Sequence, residues 1–204
     1  NTWFIIGACL HFLTTSDEET WNVLKPSVIK CRDYLKTIEF NGKGWIYTPL
    51  SGNWADEYPV HGYTLYDNAL RIWGEKLWLQ ISGEPISALI QLEQKTWANF
   101  WPVNQTDSSK AYQLSSFELA ATKEPQYFGA FILPGLYDDR FDAAGNGLAL
   151  LLTDINRGQK ERLTLFLDAL KNQLGKKLIP AFWPIITAES ADWILLKGNY
   201  SYEF

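Results

Sequence analysis

Stretches with apolar side chains at helical spacing, separated by irregular, aromatic-rich connections, constrain this chain more than any other feature. Trp3 to Leu13 reads as a buried helix. A second helix is expected to begin with Asp17 as N-cap and Glu18 and Glu19 in its first turn, where carboxylates meet the positive end of the helix dipole. Its apolar positions Trp21, Leu24, Val28, Cys31 and Leu35 follow helical spacing. Pro26 lies inside that pattern, so either it kinks the helix or the helix starts later. A third helix is expected over about 64–82, apolar on several sides and closed by Gly83, and Pro85 opens a fourth that runs to about Phe100. Further helices are expected over about 115–122, 144–152 and 157–174, the last closed by Gly175 with Lys176 and Lys177 behind it.

The segments between these helices are less regular. Trp45-Ile46-Tyr47 reads as a short strand, Tyr127 to Ile132 as a strand or a buried loop, and the tail from Leu178 as mostly loop. No strict internal repeat is visible, which argues against a regular solenoid. Nor do strands alternate with helices as in a doubly wound sheet. The fold class expected is therefore all-α, built of helical hairpins.

Composition narrows the function. A chain of 204 residues with 47% hydrophobic and 20% charged side chains can bury a substantial core as a globular domain. The net charge of -5 and the lack of a basic stripe argue against a nucleic-acid partner. No apolar run spans a bilayer, so no membrane partner is expected. There is no secretory leader pattern, and the two cysteines, Cys9 and Cys31, read as free thiols. Both point to a cytoplasmic location. The chain opens on an apolar run and closes on Tyr200-Ser201-Tyr202-Glu203-Phe204, which reads as a piece cut from a longer protein at both ends. Aromatics reach 15%, with 10 Trp, and flat apolar faces with a polar handle suit sugar rings.

Three segments carry candidate chemistry. In Gly52-Asn53-Trp54-Ala55-Asp56-Glu57-Tyr58-Pro59-Val60-His61-Gly62, Asp56 lies between Trp54 and Tyr58. Partial burial there is expected to keep its carboxyl protonated and able to donate to a glycosidic oxygen. The plainer account is a solvated loop pair with Glu57. In Tyr137 to Gly147, carboxylates, Arg140 and small residues line a substrate loop, or Asp142 caps the following helix, or both. In the tail, Ala181-Phe182-Trp183-Pro184 and Asp192-Trp193 form an aromatic wall with carboxylates, or pack as an ordinary loop. Other chemistries lack residues: the only histidines are His11, expected in the core, and His61, and there is no nucleophile elbow, phosphate loop or metal cluster. No metal and no cofactor is expected.

At these segments the chain resembles the six-hairpin, (α/α)6-barrel glycosidases, most nearly the neutral/alkaline invertase family and its bacterial relatives, and more distantly the amylo-α-1,6-glucosidase domains of glycogen debranching. The resemblance rests on Ala55-Asp56 followed by His61-Gly62-Tyr63-Thr64-Leu65-Tyr66-Asp67-Asn68-Ala69-Leu70, on Arg140-Phe141-Asp142-Ala143-Ala144-Gly145-Asn146, and on Ile179-Pro180-Ala181 with Asp192-Trp193 and Tyr200-Ser201-Tyr202, in that order. It implies a partial (α/α)6 barrel, the central portion of one catalytic domain, with Asp56 as general acid and the general base outside the chain. Trp54, Tyr58, His61, Asp67, Asn68, Arg140, Asp142, Asn146 and Trp183 then line the site for a disaccharide or oligosaccharide. The chain departs from true invertases at Tyr66, where they carry Glu, and at Glu57-Tyr58-Pro59, where theirs is Arg-rich, so sucrose specificity does not follow. A non-catalytic carbohydrate-binding or scaffold protein on the same fold is the main alternative, followed by a helical-barrel lyase or sugar isomerase.

Overall fold

The computed structural model describes residues 1–103, 108–175 and 178–196. Lys176, Lys177 and the stretch Tyr200-Ser201-Tyr202-Glu203-Phe204 lie outside the described residues. The chain is mostly helical: α1 (Thr2–Thr15), α2 (Glu18–Thr37), α3 (Leu65–Ser82), α4 (Ser87–Phe100), α5 (Leu114–Ala121), α6 (Ala143–Leu152), α7 (Arg157–Leu174) and the single turn α8 (Trp193–Leu196). No described helix is long and apolar enough to cross a membrane.

Local signals set most helix ends. Asp17 caps α2 by accepting from the Thr20 amide at 3.0 Å. The helix runs on through Pro26, so the proline neither delays its start nor ends it. Gly83 and Gly175 close α3 and α7 in the left-handed conformation, at φ 70° and 57°. The fourth helix starts at Ser87, two residues after the Pro85 at which it was expected. Trp45-Ile46-Tyr47 is not a strand; only the next residue, Thr48, bridges to Gly62.

Helix α3 is the hub. It packs against α1, α4 and α6, while α2 packs on α1. One core cluster joins α1, α2 and α3 around Ile5, Cys9, Trp21, Val28, Leu70 and Trp78. A second joins α3 to α4, α6 and α7 around Trp45, Leu65, Ile72, Phe100, Phe141 and Leu163. His11, expected in the core, is instead exposed on α1, with Nε2 3.5 Å from Asp17; the apolar residues beside it in sequence lie on other sides of the helix.

Two small antiparallel sheets lie at the helix starts. Strand β1 (Tyr63–Thr64) pairs with β2 (Phe131–Leu133), and β2 with β3 (Leu136–Tyr137). Strand β4 (Phe141–Asp142) pairs with β5 (Phe182–Trp183), inside the tail that reads as loop from sequence. Each helix after a two-residue strand begins alike. The Leu65 amide of α3 donates to the Ala130 carbonyl at 2.8 Å, and the Ala143 amide of α6 to that of Ala181 at 2.9 Å.

An internal repetition, invisible as a strict sequence repeat, emerges here. Asn68, one turn into α3, accepts from the Ile46 amide at 2.9 Å and donates to the Ile46 and Thr64 carbonyls at 3.3 and 2.8 Å. Asn146, at the same place in α6, accepts from the Phe128 amide at 3.0 Å and donates to the Phe128 and Asp142 carbonyls at 2.9 and 3.0 Å. Both side chains thus pin a preceding loop to a helix start and satisfy buried backbone groups that water does not reach.

Candidate functional site

The first turns of α1, α3 and α6 lie at one end of the molecule. Trp3 of α1 donates from Nε1 to the Tyr66 hydroxyl of α3 at 3.2 Å. A Cβ on Gly145 of α6 would lie 3.0 Å from Leu65 Cδ2, so α3 and α6 approach closely at their starts. The loop carrying Trp54 folds over this end. Its exit is fixed by Gly62, whose φ of +87° and approach to the Ile132 carbonyl exclude a side chain.

Trp54 joins the three segments singled out in sequence. Its Nε1 donates to Asp142 Oδ1 at 3.2 Å, and its ring stacks on Phe182, with centroids 5.8 Å apart. Tyr58 lies against the same phenylalanine at 4.6 Å, and Tyr66 lies 6.1 Å from Trp54. Trp54 keeps 38% of its surface exposed, and Tyr58, Tyr66 and Trp183 are half-buried.

Two carboxylates sit beneath this aromatic surface. Asp67 Oδ2 accepts from Thr64 Oγ1 at 2.7 Å, Thr48 Oγ1 at 2.8 Å and Asn53 Nδ2 at 3.1 Å, which ties the loop to α3. Loss of water raises its pKa above the ordinary carboxylate value, and those donors oppose the rise. Asp142 is fully buried and caps α6 by accepting from the Gly145 amide at 3.0 Å. Burial pushes its pKa up to about 7, against the opposing pull of that amide and of Trp54, and the nearby charge of Asp67 adds to the rise.

Asp56 stands apart from these buried groups. The expectation that Trp54 and Tyr58 would bury it is not met: the residue is exposed, because Trp54 turns to Asp142 and Tyr58 to Phe182. Asn68 and Asn146 correct the sequence reading in another way, and Asp142 takes the capping role that was the alternative to lining a substrate loop. They are buried at 2%, 1% and 0% exposure with their polar atoms committed to the fold, so they support the site rather than face a ligand. His61, two residues before β1, stacks on Phe131 of β2 at 5.7 Å. Arg140 forms an ion pair with Asp192. Neither is tied to the Trp54–Asp142 contact by any hydrogen bond between described residues.

Tyr66, noted in sequence only as a departure from invertases, joins the cluster; Phe182 and Asp138 lie in segments the sequence singled out but were not named as site residues. Asp138 accepts from the Arg140 amide at 3.0 Å, and burial pushes its pKa up to about 6 despite that guanidinium. It borders a cavity of about 210 Å³ walled by Phe100, Tyr127, Phe131 and Tyr137, which Trp54, Asp56, Asp67 and Asp142 do not line. No group of three or more His, Cys, Asp or Glu among the described residues is placed to hold a metal ion. No family model matches the chain, and no curated protein matches it.

Proposed function

We propose that this chain belongs to a glycoside hydrolase of the six-hairpin, (α/α)6-barrel type, with Asp56 as general acid. The observation that carries the reading is the convergence on Trp54. Its bond to Asp142 and its stacking on Phe182 bring together loop 52–62, segment 137–147 and the tail strand, the three stretches on which the resemblance rests. The order of packing also supports it. α1, α3 and α6 are successive neighbours with their first turns at one end, and the intervening α2 and α4 pack against α1 and α3. Consecutive hairpins of a helical ring would pack in this order. The exposed face of Trp54 offers an apolar platform for the C–H face of a sugar.

In this mechanism Asp56, two residues after the platform and open to a ligand, protonates the leaving glycosidic oxygen. A carboxylate from another part of the ring either activates the attacking water, with inversion, or attacks the anomeric carbon itself to form a glycosyl-enzyme that water then hydrolyses, with retention; the separation of the two carboxylates sets which. The test is Asp56→Asn in the natural protein, assayed on sucrose, maltose and isomaltose. Turnover of the accepted sugar should fall by roughly 10²–10⁴-fold with the fold intact. Unchanged turnover would sink the assignment.

One observation favours a second reading, a non-catalytic carbohydrate-binding protein on the same scaffold. A general acid must hold its proton near neutrality, and no described residue buries Asp56. Sugar binding without turnover in the natural protein would select this reading.

A further inference from the structure

The cavity of about 210 Å³ bordered by Asp138 stands apart from the Trp54 contact. It lies between the C-terminal end of α4, α5 and the β2–β3 hairpin, and Phe100, Tyr127, Phe131 and Tyr137 give it aromatic walls. Its charge is one-sided. Three carboxylates, those of Glu124, Asp138 and Asp139, line it against a single cation, Lys123. Lys123 is already spent on Asp139, with Nζ 2.5 Å from Oδ2. Arg140, whose charge reaches Asp138, is ion-paired to Asp192.

The polar groups of the wall leave acceptors rather than donors. The Tyr127 hydroxyl donates to the Asp139 carbonyl at 3.0 Å, and that of Tyr137 to Asn99 Oδ1 at 2.8 Å. The Asn99 amide is used up on the Lys95 and Lys110 carbonyls, at 2.8 Å each. Asp138 differs. Its Oδ1 accepts from the Arg140 amide at 3.0 Å, but its Oδ2 has no hydrogen-bond partner among the described residues and is not one of the unpaired atoms sealed from water. Loss of water pushes the pKa of this carboxyl up to about 6, so at neutral pH it is mainly ionised, short of solvent and without a cation of its own. A carboxylate so placed is costly, and a ligand that brings a positive N–H donor offsets the cost. Aromatic walls attract the same charge and cover an apolar body. A sugar asks for donors as well as acceptors, and the tyrosines and Asn99 have committed theirs elsewhere.

We infer that this cavity is a binding site for a small organic ammonium ion, a primary amine on an aryl or short alkyl body, with Asp138 Oδ2 as its anchor and the aromatic walls around the body. The volume lies below the roughly 300–1,000 Å³ of drug-sized sites, which limits the ligand to a single ring or its equivalent. The site does not depend on the glycosidase reading, since none of Trp54, Asp56, Asp67 and Asp142 lines it.

The test is calorimetric titration of the natural protein and its Asp138→Asn variant with benzylamine, benzyl alcohol and benzoate at pH 8, where the Asp138 carboxyl is ionised. The three probes share a ring and differ in charge. Benzylamine should bind saturably, benzyl alcohol about tenfold more weakly or worse, and benzoate not at all. Asp138→Asn keeps an acceptor for the Arg140 amide. It should weaken benzylamine by about tenfold to a hundredfold, the size of one hydrogen bond to a charged group, and leave benzyl alcohol unchanged. Should the variant not fold, the unaltered chain still decides: bound benzylamine should give intermolecular NOEs to the ring protons of Phe131 and Tyr137. No saturable binding of benzylamine, equal binding of all three probes, an affinity indifferent to Asp138→Asn, or NOEs confined to other rings would overturn the site.

Discussion

The starts of α3 and α6 follow one plan and differ in where they carry their carboxylate. In each, a two-residue strand leads into the helix, an alanine carbonyl receives the first helical amide, and an asparagine one turn in clamps an earlier loop. At α3 the cap is Thr64 and the acid, Asp67, comes three residues later. At α6 the cap is itself the acid, Asp142, and Gly145 stands three residues later. The difference has a packing basis. A Cβ at Gly145 would come 2.8 Å from Asp142 Oδ2 and 3.0 Å from Leu65, so no side chain fits there while α6 lies against α3. The placement sets the chemistry. Asp67 stays half-buried with donors from three side chains, whereas Asp142 is sealed with an amide and one indole.

The strongest way to break the equivalence is to remove the clamps. Asn68→Ala and Asn146→Ala each strip one amide and two carbonyls of their partner, in sites that exclude water. Each should cost about 3 kcal/mol in urea unfolding, since buried groups left unpaired carry their full desolvation penalty. Similar losses would support two copies of one device. A loss below about 1 kcal/mol at either site would show that the device is structural at only one of them.

The two acids should separate in their response to pH. The pKa of Asp142 is raised from 3.8 to about 7, so between those values the folded chain holds a proton that the unfolded chain has released. Stability from this group is therefore full below about pH 4 and is lost as the pH rises towards 7. Asp142→Asn keeps an acceptor for the Gly145 amide and for Trp54 and removes the charge. Relative to the natural chain it should gain on the order of 2 kcal/mol at pH 8 and little at pH 4, read from urea midpoints. A difference independent of pH would show that Asp142 does not titrate in that window.

What was legible in the sequence follows from the range of the signals. Asp17, Gly83, Asp142 and Gly175 act on their own helix ends, and all four appear where local reasoning put them. Strand β5 was not legible, because two residues acquire a register only by meeting β4 from far along the chain. Asn68 and Asn146 looked like ligand contacts because they are polar residues within conspicuous motifs. Their loop partners, Ile46 and Phe128, become apparent only in three dimensions. The recurrence was nonetheless written in Tyr63-Thr64 with Asn68-Ala69-Leu70 and in Phe141-Asp142 with Asn146-Gly147-Leu148, too diverged to read as a repeat without the clamp. For Asp56, the flanking aromatics implied burial, but each had a stronger partner elsewhere, and sequence adjacency carries no information about such competition.

The smallest effect sharpens the α3 side of the comparison. Thr48 donates to Asp67 Oδ2 at 2.8 Å from the loop that Asn68 pins, so clamp and carboxylate meet in one short segment. Thr48→Val removes that donor at nearly constant shape. Desolvation already raises the pKa of Asp67, and losing one of the donors that oppose it raises the pKa further. The added cost falls on the charged form alone. The variant should therefore lose about 1 kcal/mol at pH 8, and the loss should shrink as the pH falls and the carboxyl takes up its proton. Thr48 bonds to Asp67 and not to Asp142, whose donors are the Gly145 amide and Trp54, so the Asp142→Asn effect should be the same in the Thr48→Val background as in the natural chain, a double-mutant cycle with coupling near zero. Coupling of about 1 kcal/mol would mean that the two carboxylates act as one titrating pair across the α3–α6 contact, and that the two helix starts form a single electrostatic unit rather than two copies of a device.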